Sequence, residues 1–300
     1  MASQREVRTR IASFKNIQKI TRAMEAVSAA RLRRAEQRIA ALRPYADALR
    51  RMTRQAAKDA GAEASRLPLL AAREQENSVG LLLVTADRGL AGAFNSQILR
   101  AGLRLGGDLE AERKQIVWFA SGRRGVSSLT FRGHAPEGAY TGFTDRPSYG
   151  DARRIADDLT SAFIDGKLDR VEILYNGYVS PLTQRVTREI LLPVSAATIL
   201  GEDDDGESAG PAGPRALVDY EPDAEEILRV LLPDYVEVSI YRALLESTAS
   251  EHGARMTAMR SASENAGELI EDLALEMNRA RQAEITQEIM EVVAGAESLV

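Results

Sequence analysis

The chain has 300 residues, 44% apolar and 28% charged, with a formal net charge of −5. That balance specifies folded protein with room for about two domains, and the lack of any run of about 18 apolar residues argues against a membrane span. With no cysteine there are no disulfides, thiolate metal ligands or thiol redox control, and His134 and His252 alone cannot make a histidine-rich metal site.

The opening residues, MASQREVRTRIAS, lack the apolar stretch of a secretion signal. From there apolar residues recur at Val7, Ile11, Phe14, Ile17, Ile20, Met24, Val27, Leu32, Ala35, Ile39 and Leu42, mostly three or four apart, which predicts a long helix with one buried stripe. Arg8, Arg10, Lys15, Lys19, Arg22, Arg31, Arg33, Arg34 and Arg38 cover its other faces. Ser3 followed by Glu6 reads as a capping box. Pro44 predicts a bend rather than an end, since good helix formers resume at Tyr45.

Val79 to Thr85 is a short apolar run, followed by a turn over Asp87–Asn95, a helical stretch over 96–105 and a second run, Gln115 to Ala120. Strand, turn, helix, strand is the pattern of a βαβ unit with a parallel pair. A helix over 151–164 and a strand over 170–175 come next. Residues 183–192 then alternate polar with apolar, as an antiparallel edge strand does. Residues 201–214 combine acids with Gly and Pro and hold no apolar residue larger than alanine, which predicts a solvated loop. From Glu221 the acids of a helix first turn appear. Pro233 predicts a division between a short helix and a very long one reaching 297, along which Tyr241, Leu244, Met256, Met259, Leu269, Leu273, Met277, Ile285, Ile289 and Val292 keep near-helical spacing.

The two ends differ in charge. Residues 1–59 hold 15 Lys or Arg against 5 Asp or Glu, a net +10, and residues 221–300 hold 6 against 17, a net −11. Long helices of opposite charge at the two ends of a chain are most simply an antiparallel coiled coil. Because the basic excess is offset this way, nothing marks a nucleic-acid binder. The predicted class is α/β: a long antiparallel coiled coil of N- and C-terminal helices with an inserted small Rossmann-like domain. Its parts are a helix over 1–59, a linker over 60–77, the α/β domain over 78–200, an acidic loop and linker over 201–220, and C-terminal helices over 221–300.

The turn at Asp87–Asn95 sits where an α/β sheet usually binds nucleotides. It matches neither G-x-G-x-x-G nor G-x-x-x-x-G-K-[ST], and no lysine follows it. A structural turn is therefore the expectation, with a nucleotide-binding α/β protein bearing helical arms as the alternative. No triad, carboxylate pair or ligand spacing marks a catalytic, cofactor or metal site. A self-associating coiled-coil scaffold is a further alternative.

Residues 17–35 (IQKITRAMEAVSAARLRRA), 87–95 (DRGLAGAFN), 250–259 (SEHGARMTAM) and 278–288 (NRARQAEITQE) resemble, in order and over nearly the whole chain, the gamma subunit of F-type ATP synthases. The resemblance implies a non-catalytic rotor shaft without a cofactor of its own, inside three alpha and three beta subunits. The α/β domain would lie beside the epsilon subunit and the membrane ring of c subunits. It implies a peripheral protein on the cytoplasmic face of a bacterial membrane, coupling proton-driven rotation to the catalytic beta sites. Carried over by position, Arg281, Gln282, Thr286 and Glu288 would contact beta-subunit loops, with Met24 opposite them against a moving beta segment. Ala91 stands where many members of that family have cysteine, so the dithiol switch of photosynthetic relatives is not expected.

Overall fold

In β1 (Ser78–Val84) successive side chains point to opposite faces of the sheet, and both faces are buried. Val79, Leu81 and Leu83 pack with Trp118 and Ala120 of β2 (Gln115–Ser121) against Ile98, Leu105 and Leu109 of α2 (Phe94–Ala111) and Leu129 of α3 (Arg123–Phe131). Leu82 and Val84 face the other way, joining Phe119 of β2, Ile173 and Tyr175 of β4 (Arg170–Ser180), and Ile155, Leu159 and Phe163 of α4 (Tyr149–Ile164). With β3 (Gly138–Tyr140) and β5 (Thr183–Leu192) the sheet order is β3-β2-β1-β4-β5, parallel throughout except for the antiparallel edge strand β5. Glycine permits the closeness of α2 to the sheet. A Cβ on Gly102 would stand 2.6 Å from a Leu83 methyl, and one on Gly106 would stand 2.7 Å from the Trp118 ring.

This computed structural model describes residues 4–71, 73, 75–194 and 223–297, so the acidic stretch expected as a loop at 201–214 and the Ser3 cap lie outside the described residues. The chain forms two units, residues 1–30 with 255–300, and residues 31–254. Two helices contribute to both: α1 (Gln4–Ala60, 57 residues) and α5 (Ala224–Glu297, 74 residues). Both carry a proline inside. Pro44 does not end α1, as expected, but the division expected at Pro233 is absent and α5 runs on through it. The missing helical hydrogen bond and the clash of the ring with the carbonyl four residues back together cost about 3 kcal/mol. Leu228, Leu232, Val236 and Ile240, four apart on either side of the proline, are all buried in the core beneath α4, and burial contributes about 1.5–3 kcal/mol per side chain.

Three short elements went unforeseen: a 3-10 helix over Gly61–Arg66 within the expected linker, α3 and β3. Directly after β2, α3 starts at Arg123, and β3 adds a three-residue edge to the sheet. All are too short for a periodic pattern to emerge.

The buried stripe of α1 also differs from the predicted one. Within the first unit it runs Val7, Ile11, Phe14, Gln18, Thr21, Glu25, Ser28, and within the second it runs Leu32, Ala35, Ile39, Leu42, Ala46, Leu49, Thr53, Ala56, each set buried or half-buried. The spacing alternates four and three, the 3.5 repeat of a left-handed coiled coil. From residue 18 to 28 this seam is polar or small. Ile17, Ile20 and Val27, expected inside, are 46%, 59% and 53% exposed. In α5 the buried positions of the first unit are Arg255, Met259, Ser263 and Ala266. Gln18 donates to the Ser263 carbonyl at 3.2 Å, and Arg260 pairs with Glu25 at 2.9 Å. Residue numbers rise on one helix as they fall on the other, so the pair is antiparallel.

Candidate partner-binding surfaces

At the carboxyl ends of β1 and β4, the crevice where doubly wound sheets hold ligands, the turn that starts at Asp87 is engaged by the fold itself. The Asp87 carboxylate accepts hydrogen bonds from the amides of Arg123 (3.0 Å), Gly142 (2.9 Å) and Thr144 (3.2 Å) and from the Thr144 hydroxyl (3.1 Å). Burial pushes its pKa up, but the amide and hydroxyl donors outweigh that and hold it below the usual value. Asn95 Oδ1 accepts from the Ala86 amide at 2.9 Å, and Asn176 Nδ2 donates to the Phe94 carbonyl at 3.2 Å. Ala86, Ala91 and Phe94 form a small buried cluster against Ala254 of α5. A carboxylate that would repel phosphate thus anchors the turn, and α5 packs on its apolar residues. This geometry speaks for the structural turn over the nucleotide-binding alternative.

The residues expected to contact a partner lie in the first unit. On α1, positions 17, 20, 24 and 27 share one face, so Ile17, Ile20 and Val27 form an exposed apolar strip that also includes half-buried Met24. The strip borders a seam whose own residues are small or polar. Sequence periodicity assigned these residues to the core because it registers apolar spacing, not which of two adjacent stripes faces the partner helix. The polarity of 18, 21, 25 and 28 was the missed signal.

On α5, residues 281–290 are exposed at every position. Carrying the antiparallel register outward from Gln18–Ser263 and Glu25–Arg260 places Gln4 level with residues 277–281. Beyond that level α5 has no helix beside it among the described residues. Arg281, Gln282, Thr286 and Glu288 all lie on this stretch, and the Thr286 hydroxyl donates back to the Gln282 carbonyl at 2.8 Å. Ile285, Ile289 and Met290 stand exposed among them. The structure brings those four residues together on about two turns. Met24 lies elsewhere: it sits beside the Glu25–Arg260 pair, 21 residues from Arg281, roughly 30 Å along the helix. No helix among the described residues is long and apolar enough to cross a membrane.

The family model described as ATP synthase matches residues 3–299. The ATP synthase gamma chain of Rubrobacter xylanophilus is 47% identical over 299 residues, covering 100% of this chain and 99% of that one. The gamma chain of Rhodospirillum rubrum is 40% identical over 303 residues with both chains fully covered. Among solved structures, a chain of the Euglena gracilis mitochondrial ATP synthase (OSCP, F1 and c-ring) superposes with a TM-score of 0.68 at 17% identity, covering 99% of this chain and 94% of that one. A chain of the Tetrahymena thermophila central stalk and c-ring gives 0.61 at 24% identity, covering 81% and 99%. At those identities the structural likeness speaks for the fold, while the full-length sequence matches decide the family: the chain belongs to the ATP synthase gamma chains.

Proposed function

We propose that this chain is the central rotor shaft of a bacterial proton-translocating F-type ATP synthase. It performs no catalysis of its own and turns within a head of three alpha and three beta subunits. The full-length match to bacterial gamma chains carries the reading, and the exposed end of α5 supports it. Past residue 280 the helix has only its own propensity behind it, and by exposing Ile285, Ile289 and Met290 it presents apolar surface that a surrounding sleeve of subunits would cover. In that assembly Arg281, Gln282, Thr286 and Glu288 meet beta-subunit loops. Met24, with the strip of Ile17, Ile20 and Val27, meets a different beta segment lower on the shaft. The two surfaces differ in chemistry, one polar and charged, the other apolar, so each orientation of the shaft presents the three beta subunits with unequal contacts. Differential contact of that kind shifts the nucleotide sites among conformations. The α/β domain would face the epsilon subunit and the c-ring, placing the protein peripherally on the cytoplasmic face of the membrane.

The test is Arg281→Ala with Gln282→Ala in the reconstituted complex with alpha, beta and epsilon subunits. Both side chains are exposed, so the chain folds and assembles normally, while torque and coupled ATP turnover fall several-fold. Unchanged rotation and turnover in the assembled double variant would remove these residues from the beta contact. Failure of the parent chain to co-assemble with alpha and beta subunits would overturn the rotor reading itself.

A further inference from the structure

A second feature, within the 31–254 unit, has no part in the rotor reading. Arg31, Arg34 and Arg38 follow at intervals of three and four along α1, so they share one face and span on the order of 10 Å. Together with Arg146, from the loop ahead of α4, and with Leu245, Thr248 and His252 of α5, they line an open cavity of about 470 Å³. One carboxylate enters it. Asp145 is held by Arg31 and stands 3.6 Å from His252 Nε2. Among the described residues the guanidinium groups of Arg34, Arg38 and Arg146 are in no ion pair or side-chain hydrogen bond. Four arginines against one aspartate leave an excess of three positive charges around one cavity.

Like charges at helical spacings of three and four destabilise the helix that carries them, and this row is not neutralised from α5, although that helix is acidic overall. An anion entering the cavity would relieve the repulsion. Guanidinium is the donor best matched to phosphate, since its planar fork bonds two oxygens at once. Three free forks, two of them one turn apart on α1 and the third on a facing loop, suit a ligand with several phosphates in a row better than a single ion. The Thr248 hydroxyl is already committed, donating to the Thr144 and Leu244 carbonyls, so the arginines are the groups that recognise the ligand. Ala35 and Leu245 give the cavity an apolar flank.

We propose that this cavity is a binding site for small phosphoanions of two or more phosphates, gripped by Arg34, Arg38 and Arg146, with Arg31 fixed beside them by Asp145. Titration calorimetry on the purified full-length chain at low ionic strength tests it, with pyrophosphate, tripolyphosphate and ATP as probes. Tripolyphosphate binds more tightly than pyrophosphate, and its affinity falls at least tenfold in the Arg34→Gln, Arg38→Gln double variant and again with added salt. Equal affinities for tripolyphosphate and ATP assign recognition to the phosphate chain, and tighter ATP binding extends it to the nucleoside on the apolar flank. Either result supports the site. Should the double variant misfold, Arg146→Gln on the loop gives the same test without touching a helix, with Arg100→Gln as the control that leaves binding unchanged. Absence of binding at millimolar probe, or binding indifferent to all three arginines, overturns the proposal. So does a glutamate-rich peptide binding more tightly than tripolyphosphate, which would make the cavity a seat for an acidic protein segment.

Discussion

Asp87 shows how a motif placed for chemistry can be used for architecture. Its carboxylate closes three stretches of chain on one another, because its donors come from residues 123, 142 and 144. The Thr144 carbonyl in turn accepts from Thr248 of α5 at 2.9 Å. The pKa is held down relative to an ordinary value of about 3.9. A lowered folded-state pKa means that the stabilisation is complete above the ordinary value and drains away as pH falls through the lower folded value. Asp87→Asn places an NH2 donor where backbone donors converge. The substitution is expected to cost about 1–3 kcal/mol at pH 7, with the gap from the parent chain narrowing below about pH 4. Urea unfolding of both chains at the two pH values measures it, and a gap that does not change with pH would show that geometry rather than charge accounts for the loss.

At the scale of one helix, α1 divides its apolar residues between two jobs. Those on the 3.5 repeat hold it in place, while Ile17, Ile20 and Val27 lie one position N-terminal to seam residues and are left outside. Ile20→Ser with Val27→Ser should therefore change the stability of the free chain by no more than about 0.5 kcal/mol, as exposed substitutions do, yet weaken its capture by alpha and beta subunits. Leu32→Ala, at a buried seam position, should cost about 2–5 kcal/mol. Thermal unfolding alongside subunit pull-down separates the two, and equal losses of stability would mean that the strip is part of the seam. The sequence made much of this legible. The period-2 edge strand β5, the parallel apolar runs of β1 and β2 and the existence of both long helices follow from patterns extending over many residues. The phase of the α1 seam did not, because Gln18 and Glu25 reach α5 while the Thr21 and Ser28 hydroxyls bond carbonyls of their own helix, polar burial that a count of apolar residues passes over. Continuity through Pro233 also escaped the local rule, since what holds α5 together there is burial of Leu228, Leu232, Val236 and Ile240 against residues distant in sequence.

For the molecule as a whole, order should be graded along α5. Between residues 236 and 255 nearly every side chain is buried or half-buried, so those amides open only with large-scale unfolding. Past residue 280 all the side chains through 290 are exposed and no helix lies alongside among the described residues. There the backbone hydrogen bonds have only helix propensity behind them, and propensity alone leaves a short stretch marginal. Amide exchange of the free chain should accordingly be slow over 236–255, intermediate over 259–270 where Gln18 and Glu25 brace the seam, and close to unprotected over 281–290. Addition of alpha and beta subunits should slow exchange over 281–290 by orders of magnitude and leave 236–255 nearly unchanged, because only the first stretch gains a packing surface. That contrast also bears on function: a shaft whose end acquires its packing only from the surrounding subunits takes up force through those subunits. Strong protection of 281–290 in the free chain would mean that the stretch is stabilised before assembly, by self-association for example. In that case the scaffold reading would gain the support that the present surfaces give to the rotor.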